Sequence, residues 1–176
     1  MKLLLENWRQ YLDEVEAFDD IATTPEQTQQ SIDSFFGPDF DKGKQKGEET
    51  WKVRGKEHQI ITYDKGGDEL HFVLKDGNPV AYVAVAPFRD GYAIGNVRKN
   101  TKGFFASDLY TWLVNKYGVL YSDKAQTTAG AKTWTRLPGA EQVDTSQEDG
   151  KDKEGKPRWR WRLSKWNSYL KIGVSF

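Results

Sequence analysis

Leu109-Tyr110-Thr111-Trp112-Leu113-Val114-Asn115-Lys116-Tyr117-Gly118-Val119-Leu120-Tyr121-Ser122-Asp123 changes period partway along. Leu109, Trp112, Leu113 and Lys116-Tyr117 recur at helical spacing, and Gly118 stands where a left-handed residue closes a helix. Val119-Leu120-Tyr121 is then a short apolar run of strand type. A helix from about Phe104 to Tyr117 therefore feeds a strand, and Thr128 to Leu137 reads as a second helix that Pro138-Gly139 stops. Upstream, Trp51 to Val53, Gln59 to Tyr63, Glu69 to Lys75, Val80 to Phe88 and Tyr92 to Arg98 read as strands. Asp76-Gly77-Asn78 is a hairpin turn, Asp90-Gly91 a second reversal, and Gly66-Gly67 a turn. Downstream, Arg158-Trp159-Arg160-Trp161-Arg162-Leu163 alternates as a strand does. Strands in series with helices between the later ones imply an α+β fold, a sheet with helices packed on it.

The flanks read differently. Leu4, Trp8, Leu12, Val15 and Phe18 line one helical face, and Thr24-Pro25-Glu26-Gln27 opens a second helix that Gly37-Pro38 ends. The expected division is a helical extension at 1–37, a flexible linker at 38–50 and a domain at 51–176. Residues 144–157 carry no large apolar side chain and are expected to form a mobile loop. Over 176 residues, 26 Lys and Arg balance 26 Asp and Glu, so no global field draws the chain to nucleic acid or to an anionic membrane. Cysteine is absent, which excludes a disulfide framework and a thiol nucleophile, and two His are too few for a His-rich metal site. Hydrophobic residues amount to 37 %, yet there are seven Trp, eight Tyr and nine Phe, so rings must fill much of the core. No apolar run approaches the roughly 20 residues of a membrane span, and a soluble, unexported protein is expected.

The block Val80 to Leu137 resembles the GNAT superfamily of acyl-CoA-dependent N-acyltransferases, in versions carried by tailed phages. The likeness rests on Leu109-Tyr110-Thr111-Trp112-Leu113, on Tyr117-Gly118-Val119-Leu120-Tyr121-Ser122-Asp123, and on Gln126-Thr127-Thr128-Ala129-Gly130-Ala131-Lys132-Thr133-Trp134-Thr135-Arg136-Leu137. It implies a GNAT-like sheet, mixed but mainly antiparallel, and transfer of an acetyl group from acetyl-CoA to an amine acceptor by direct attack. Within it, the strand Ala93 to Arg98 would splay and offer its backbone to pantetheine. The loop after it would present amides at a helix N-terminus to the pyrophosphate. The resemblance so assigns Val97, Arg98, Lys99, Lys102, Gly103, Phe104, Phe105 and Ala106 to the cofactor, and Ser122 or Asp123 to the reacting end. Three positions depart from the family, the first being Thr101, where the cofactor signature opens with Gln or Arg. Phe104 stands where a Gly lets backbone approach phosphate, and Trp134 stands where a Tyr would protonate the leaving thiolate, which an indole cannot do at neutral pH.

Met1-Lys2-Leu3-Leu4-Leu5-Glu6-Asn7-Trp8 also resembles a leader found on phage proteins, and Leu4-Leu5-Glu6 and Leu12-Asp13-Glu14 fit the cut site of head-maturation proteases. The resemblances imply a host-cell cytoplasmic protein or one inside the virion, with capsid proteins as partners. They leave an alternative to the enzyme: a structural or interaction protein that keeps the fold without the cofactor. Other candidates come from the residues themselves. Glu69 and His71 share a strand, where a carboxylate or imidazole can serve an amine as base. His58 and His71 otherwise read as structural. Ser122 or Asp123 otherwise caps a turn. Arg158, Arg160 and Arg162 form either a ladder for phosphates or the outer face of a strand that buries Trp159 and Trp161. The acidic residues before that ladder weigh against nucleic acid.

Overall fold

Three two-residue turns organise the first strands. Arg54-Gly55, Gly66-Gly67 and Asp76-Gly77 hold both residues at positive φ, between 50° and 101°. That turn has the twist of paired antiparallel strands, so it closes hairpins. The turns join β1 (Lys44–Val53), β2 (Lys56–Lys65), β3 (Asp68–Lys75) and β4 (Asn78–Phe88). There follow β5 (Gly91–Lys99), α1 (Ala106–Tyr117), β6 (Val119–Tyr121), α2 (Thr128–Arg136), β7 (Glu141–Asp144), α3 (Ser146–Asp149) and β8 (Trp159–Ser164). The computed structural model describes residues 30, 44–99, 104–124 and 128–165. The expected helices within 1–37, the leader with its cut sites, and Lys102, Gly103 and Gln126 lie outside the described residues.

Hydrogen bonds link the strands in the order β1-β2-β3-β4-β5-β6-β8-β7. The pairs β1–β2, β2–β3, β6–β8 and β7–β8 are antiparallel and β5–β6 is parallel. This is the expected α+β architecture. The described chain falls into two compact units, with β4 and β5 running through both. The first holds residues 44–84, 96–99 and 104–105, the second residues 85–95, 106–124 and 128–165.

In the first unit, the pleat sorts side chains onto two faces. Leu70, Phe72 and Tyr82 cluster with Tyr63, Leu74 and Ala84 on one face. On the other, Ile60 and Thr62 oppose Val73 and His71 in register, and all four are buried. In the second unit, α1 buries Ala106, Leu109, Tyr110, Leu113 and Val114, a stripe at helical spacing. Gly118 ends it at φ 82°, donating to the Val114 carbonyl at 2.8 Å. The crossover through α1 lets β5 and β6 run parallel, which no hairpin could do.

Three segments differ from expectation. Composition assigns residues 44–50 to a linker, but they extend β1 and pair with β2 from Lys44↔Asp64 onward. Their side chains are exposed on both faces of an edge strand, so no alternation marks them. Residues 144–157 are not a free loop. Asp144 accepts from Ser146 N at 2.8 Å and Asp152 from Glu154 N and Lys156 N at 2.9 and 2.8 Å, so the charges that suggested mobility fasten the backbone. In β8 the faces are exchanged at the outer end: Trp159 is 53 % exposed and Arg160 only 8 %. Arg160 turns inward because a carboxylate and a ring await it.

Candidate functional site

The end of β6 is the focus of the second unit. Tyr92↔Leu120 and Ala93↔Tyr121 are its registered pairs with β5, after which β5 runs on to Lys99 while β6 stops at Tyr121. Ser122 transfers its hydrogen bonding to β8: its N–H donates to Trp161 O at 2.8 Å, and its Oγ accepts from Trp161 N at 3.0 Å. The same hydroxyl donates to Asp123 O at 3.0 Å. Ser122 has no exposed surface, so its side chain serves as a clasp of the strand end. Asp123, beside it, is partly buried.

A buried guanidinium completes that clasp. Arg160 Nη1 donates to Ser122 O at 2.7 Å, while Nε and Nη2 grip Asp149 at 2.6 and 2.7 Å. Arg160 lies over the Phe88 ring at 4.6 Å, and Asp149 also accepts from Thr145 Oγ1 at 2.8 Å. Chiefly through the Arg160 bonds, Asp149 is lowered to about 2. A second cluster sits at the β4–β5 turn. Tyr121 donates to Asp90 at 2.5 Å, and Arg162 donates to Asp90 at 3.0 Å, to Glu141 at 3.1 Å and to the Tyr121 oxygen at 3.3 Å. Its hydrogen bond from Tyr121 holds Asp90 below the ordinary carboxylate range, and burial then the Asp90 bond push Tyr121 up. Arg160 and Arg162 are thus spent within the chain and form no open phosphate ladder.

Trp134 is buried and stacks on Tyr110 at 5.1 Å. Burial, with Asp123 adding to it, raises the Tyr110 phenol far above its usual value. A phenol so hard to deprotonate is a poor acid, so it does not replace the Tyr that the sequence lacks at 134.

Most of the remaining assigned residues belong to the first unit. Phe104 is 1 % exposed and meets the rings of Trp51 at 4.9 Å and His58 at 5.2 Å, both nearly edge-on. Lys99 is buried with its Nζ 5.3 Å from the Phe104 ring, and Arg54 covers Phe105 at 4.0 Å. Arg98 donates to the Val97 carbonyl at 3.0 Å. Ala106 opens α1 in the second unit and is buried. His58 is buried with neither ring nitrogen in a hydrogen bond. Burial and then Lys75 hold its pKa below 6.5, with the nearby Lys56 carbonyl pulling the other way. Glu69 and His71 come together on β3: His71 Nε2 is 3.9 Å from Glu69 Oε2, and His71 Nδ1 is 2.9 Å from Thr62 Oγ1. Glu69 Oε1 is bound at 2.5 Å by Lys46 of β1.

Sequence reasoning missed the Lys46–Glu69 and Arg160–Asp149 pairs and the Asp90–Tyr121–Arg162 cluster. Asp149 lay in a stretch read only for composition, and Asp90 in one read only as a turn. The charge between the Trp residues of β8 was the available signal for Arg160. Among the described residues, no three of His, Asp and Glu gather as metal ligands, and no helix is long and apolar enough to cross a membrane.

No family model matches the chain, and no curated protein matches it. Among solved structures it is similar to the ribosomal-protein-S18-alanine N-acetyltransferase from Escherichia coli, at 12 % identity and a TM-score of 0.38, over 64 % of this chain and 77 % of that one.

Proposed function

We propose that the chain is an acyl-CoA-dependent N-acetyltransferase that moves an acetyl group from acetyl-CoA directly to an amine. One observation carries the reading: the parallel pair β5–β6 holds register for two positions and then ends, leaving Ile94 and Gly95 of β5 with no registered partner on β6. Backbone donors and acceptors released in that way can pair with the amides of pantetheine. Asp123 stands at the end of β6, where ligands of open sheets gather. In the reaction the amine nitrogen attacks the thioester carbonyl, the C–S bond breaks, CoA leaves as the thiolate with no phenol from position 134 to protonate it, and the proton shed by the amine nitrogen passes to water.

Two observations favour a second reading, in which the fold persists without the cofactor as a phage structural or interaction protein. Phe104 is locked among Trp51 and His58 where bare backbone would approach phosphate, and Trp134 is a stacked core residue. A melting experiment separates the two. At 100 times its Kd, acetyl-CoA stabilises a competent fold by about 2.7 kcal/mol, a Tm rise of roughly 5–10 °C for a chain of this size. No rise at millimolar acetyl-CoA rejects the enzyme and leaves the structural reading.

A further inference from the structure

Lys46 is the extra residue of a β-bulge. Gln45 pairs with Tyr63 and Gly47 with Thr62, so Lys46 has no opposite number on β2. A bulge re-aims the side chain it frees. Here the side chain crosses β2 to reach Glu69 on β3, setting its ammonium 2.5 Å from Oε1. The two ends differ sharply in environment, with the Lys46 side chain 53 % exposed and that of Glu69 5 %. A carboxylate so far from water stays charged only with a cation or several donors beside it. His71, held at Nδ1 by Thr62, presents Nε2 to the other carboxylate oxygen. Carboxylate, imidazole and hydroxyl thus stand in a row inside the strands, and the cation arrives from the edge through a bulge.

We infer that Glu69, backed by His71 and Thr62, is a binding site for a primary ammonium group, and that Lys46 fills it as an internal plug in the resting chain. The ligand class is read from the occupant: an unbranched alkyl stem ending in a compact cation with three donors. Loss of the Lys46 charge, by acylation of its amine for example, empties the site for an external amine. The inference stands whether or not the chain transfers acyl groups.

Thermal unfolding of the full chain tests it with n-propylammonium chloride as probe, the part of the lysine side chain that Lys46→Ala removes. A tethered lysine acts at millimolar or higher effective concentration. Wild type is therefore expected to shift less than Lys46→Ala at every probe concentration, whereas Lys46→Ala shows a saturable Tm rise of about 3–6 °C at ten times Kd. The rise is expected to vanish in Lys46→Ala with Glu69→Gln, and with tetramethylammonium chloride at equal ionic strength. Lys46→Ser serves in the same way should the alanine variant not fold. No saturable rise in a cooperatively unfolding Lys46 variant overturns the inference. So does an equal rise with tetramethylammonium or without Glu69. Lys46 is then an inward charge that guards an edge strand against pairing.

Discussion

Replacing Arg160 by Met removes the guanidinium, and with it the contact over the Phe88 ring at 4.6 Å, while keeping a long unbranched side chain. What remains is Asp149, its side chain 7 % exposed, without its two bonds at 2.6 and 2.7 Å, and a Ser122 carbonyl without its donor. Breaking a buried pair from one side costs about 3–5 kcal/mol, because the other charge stays buried. The carboxylate gives an independent figure. Its fall from 3.8 to about 2 corresponds to about 2–3 kcal/mol, at about 1.36 kcal/mol for each pKa unit. For a chain of this size, Arg160→Met should lower Tm by about 6–20 °C. Because the folded pKa is the lower one, this stabilisation is complete above the unfolded value near 4 and lost as pH falls through about 2. Chemical denaturation from pH 7 to pH 2 should therefore show Asp149→Asn weaker than wild type by about 2–3 kcal/mol at pH 7, the gap closing toward pH 2. The double variant should recover most of the Arg160→Met loss, since no charge is left unpaired. An Arg160→Met cost below about 1 kcal/mol, or a gap unchanged at pH 2, would refute the buried-pair reasoning.

Two further substitutions probe separate features. A Cβ on Gly91 would lie 2.3 Å from the Val119 carbonyl oxygen, so Gly91→Ala must push β5 away from β6; overpacking of this kind costs about 1–3 kcal/mol, and an unchanged denaturation midpoint would contradict the close approach. His58→Phe removes two unbonded buried nitrogens and should stabilise by about 1 kcal/mol at pH 7. Its pH profile is the sharper readout: the lowered His58 pKa means wild type loses stability as pH falls below 6.5, so the variant's Tm should fall less between pH 7 and 5, and parallel profiles would count against it.

Much of the architecture was legible because local chemistry and tertiary role coincide. Gly118 ends α1 and Asp76-Gly77 turns β3 into β4 as their residue types require. The stripe of α1 likewise reports its buried face. Where the two part company, the sequence misleads. β1 has no buried face until Trp51, so its first seven residues carry no period, and only the hydrogen bonds of β2 make them a strand. Polarity assigns Trp159 inward and Arg160 outward, but the bonds that Asp149 and the Ser122 carbonyl offer Arg160 outweigh the burial of one indole. Ser122 and Asp123 were found as a pair at a strand end, yet the difference between them, one a clasp and the other partly exposed, depends on Trp161, 39 residues later. Glu69 and His71 could be joined by spacing alone; Lys46 could not, since only a bulge brings it there.

The place of β8 between β6 and β7 has a consequence for how the chain is made. Both strands emerge from the ribosome before β8, with which each of them pairs, and they do not pair with each other. At about 5–20 residues per second, the apolar run of β6 waits roughly 2–8 s for Trp159 and its successors to be synthesised. During that interval its β8-facing edge is open to other nascent chains, and the Asp149 carboxylate still lacks Arg160. The β6–β8–β7 part of the sheet therefore closes late, and a translational pause in the 150s would prolong its most adhesive state.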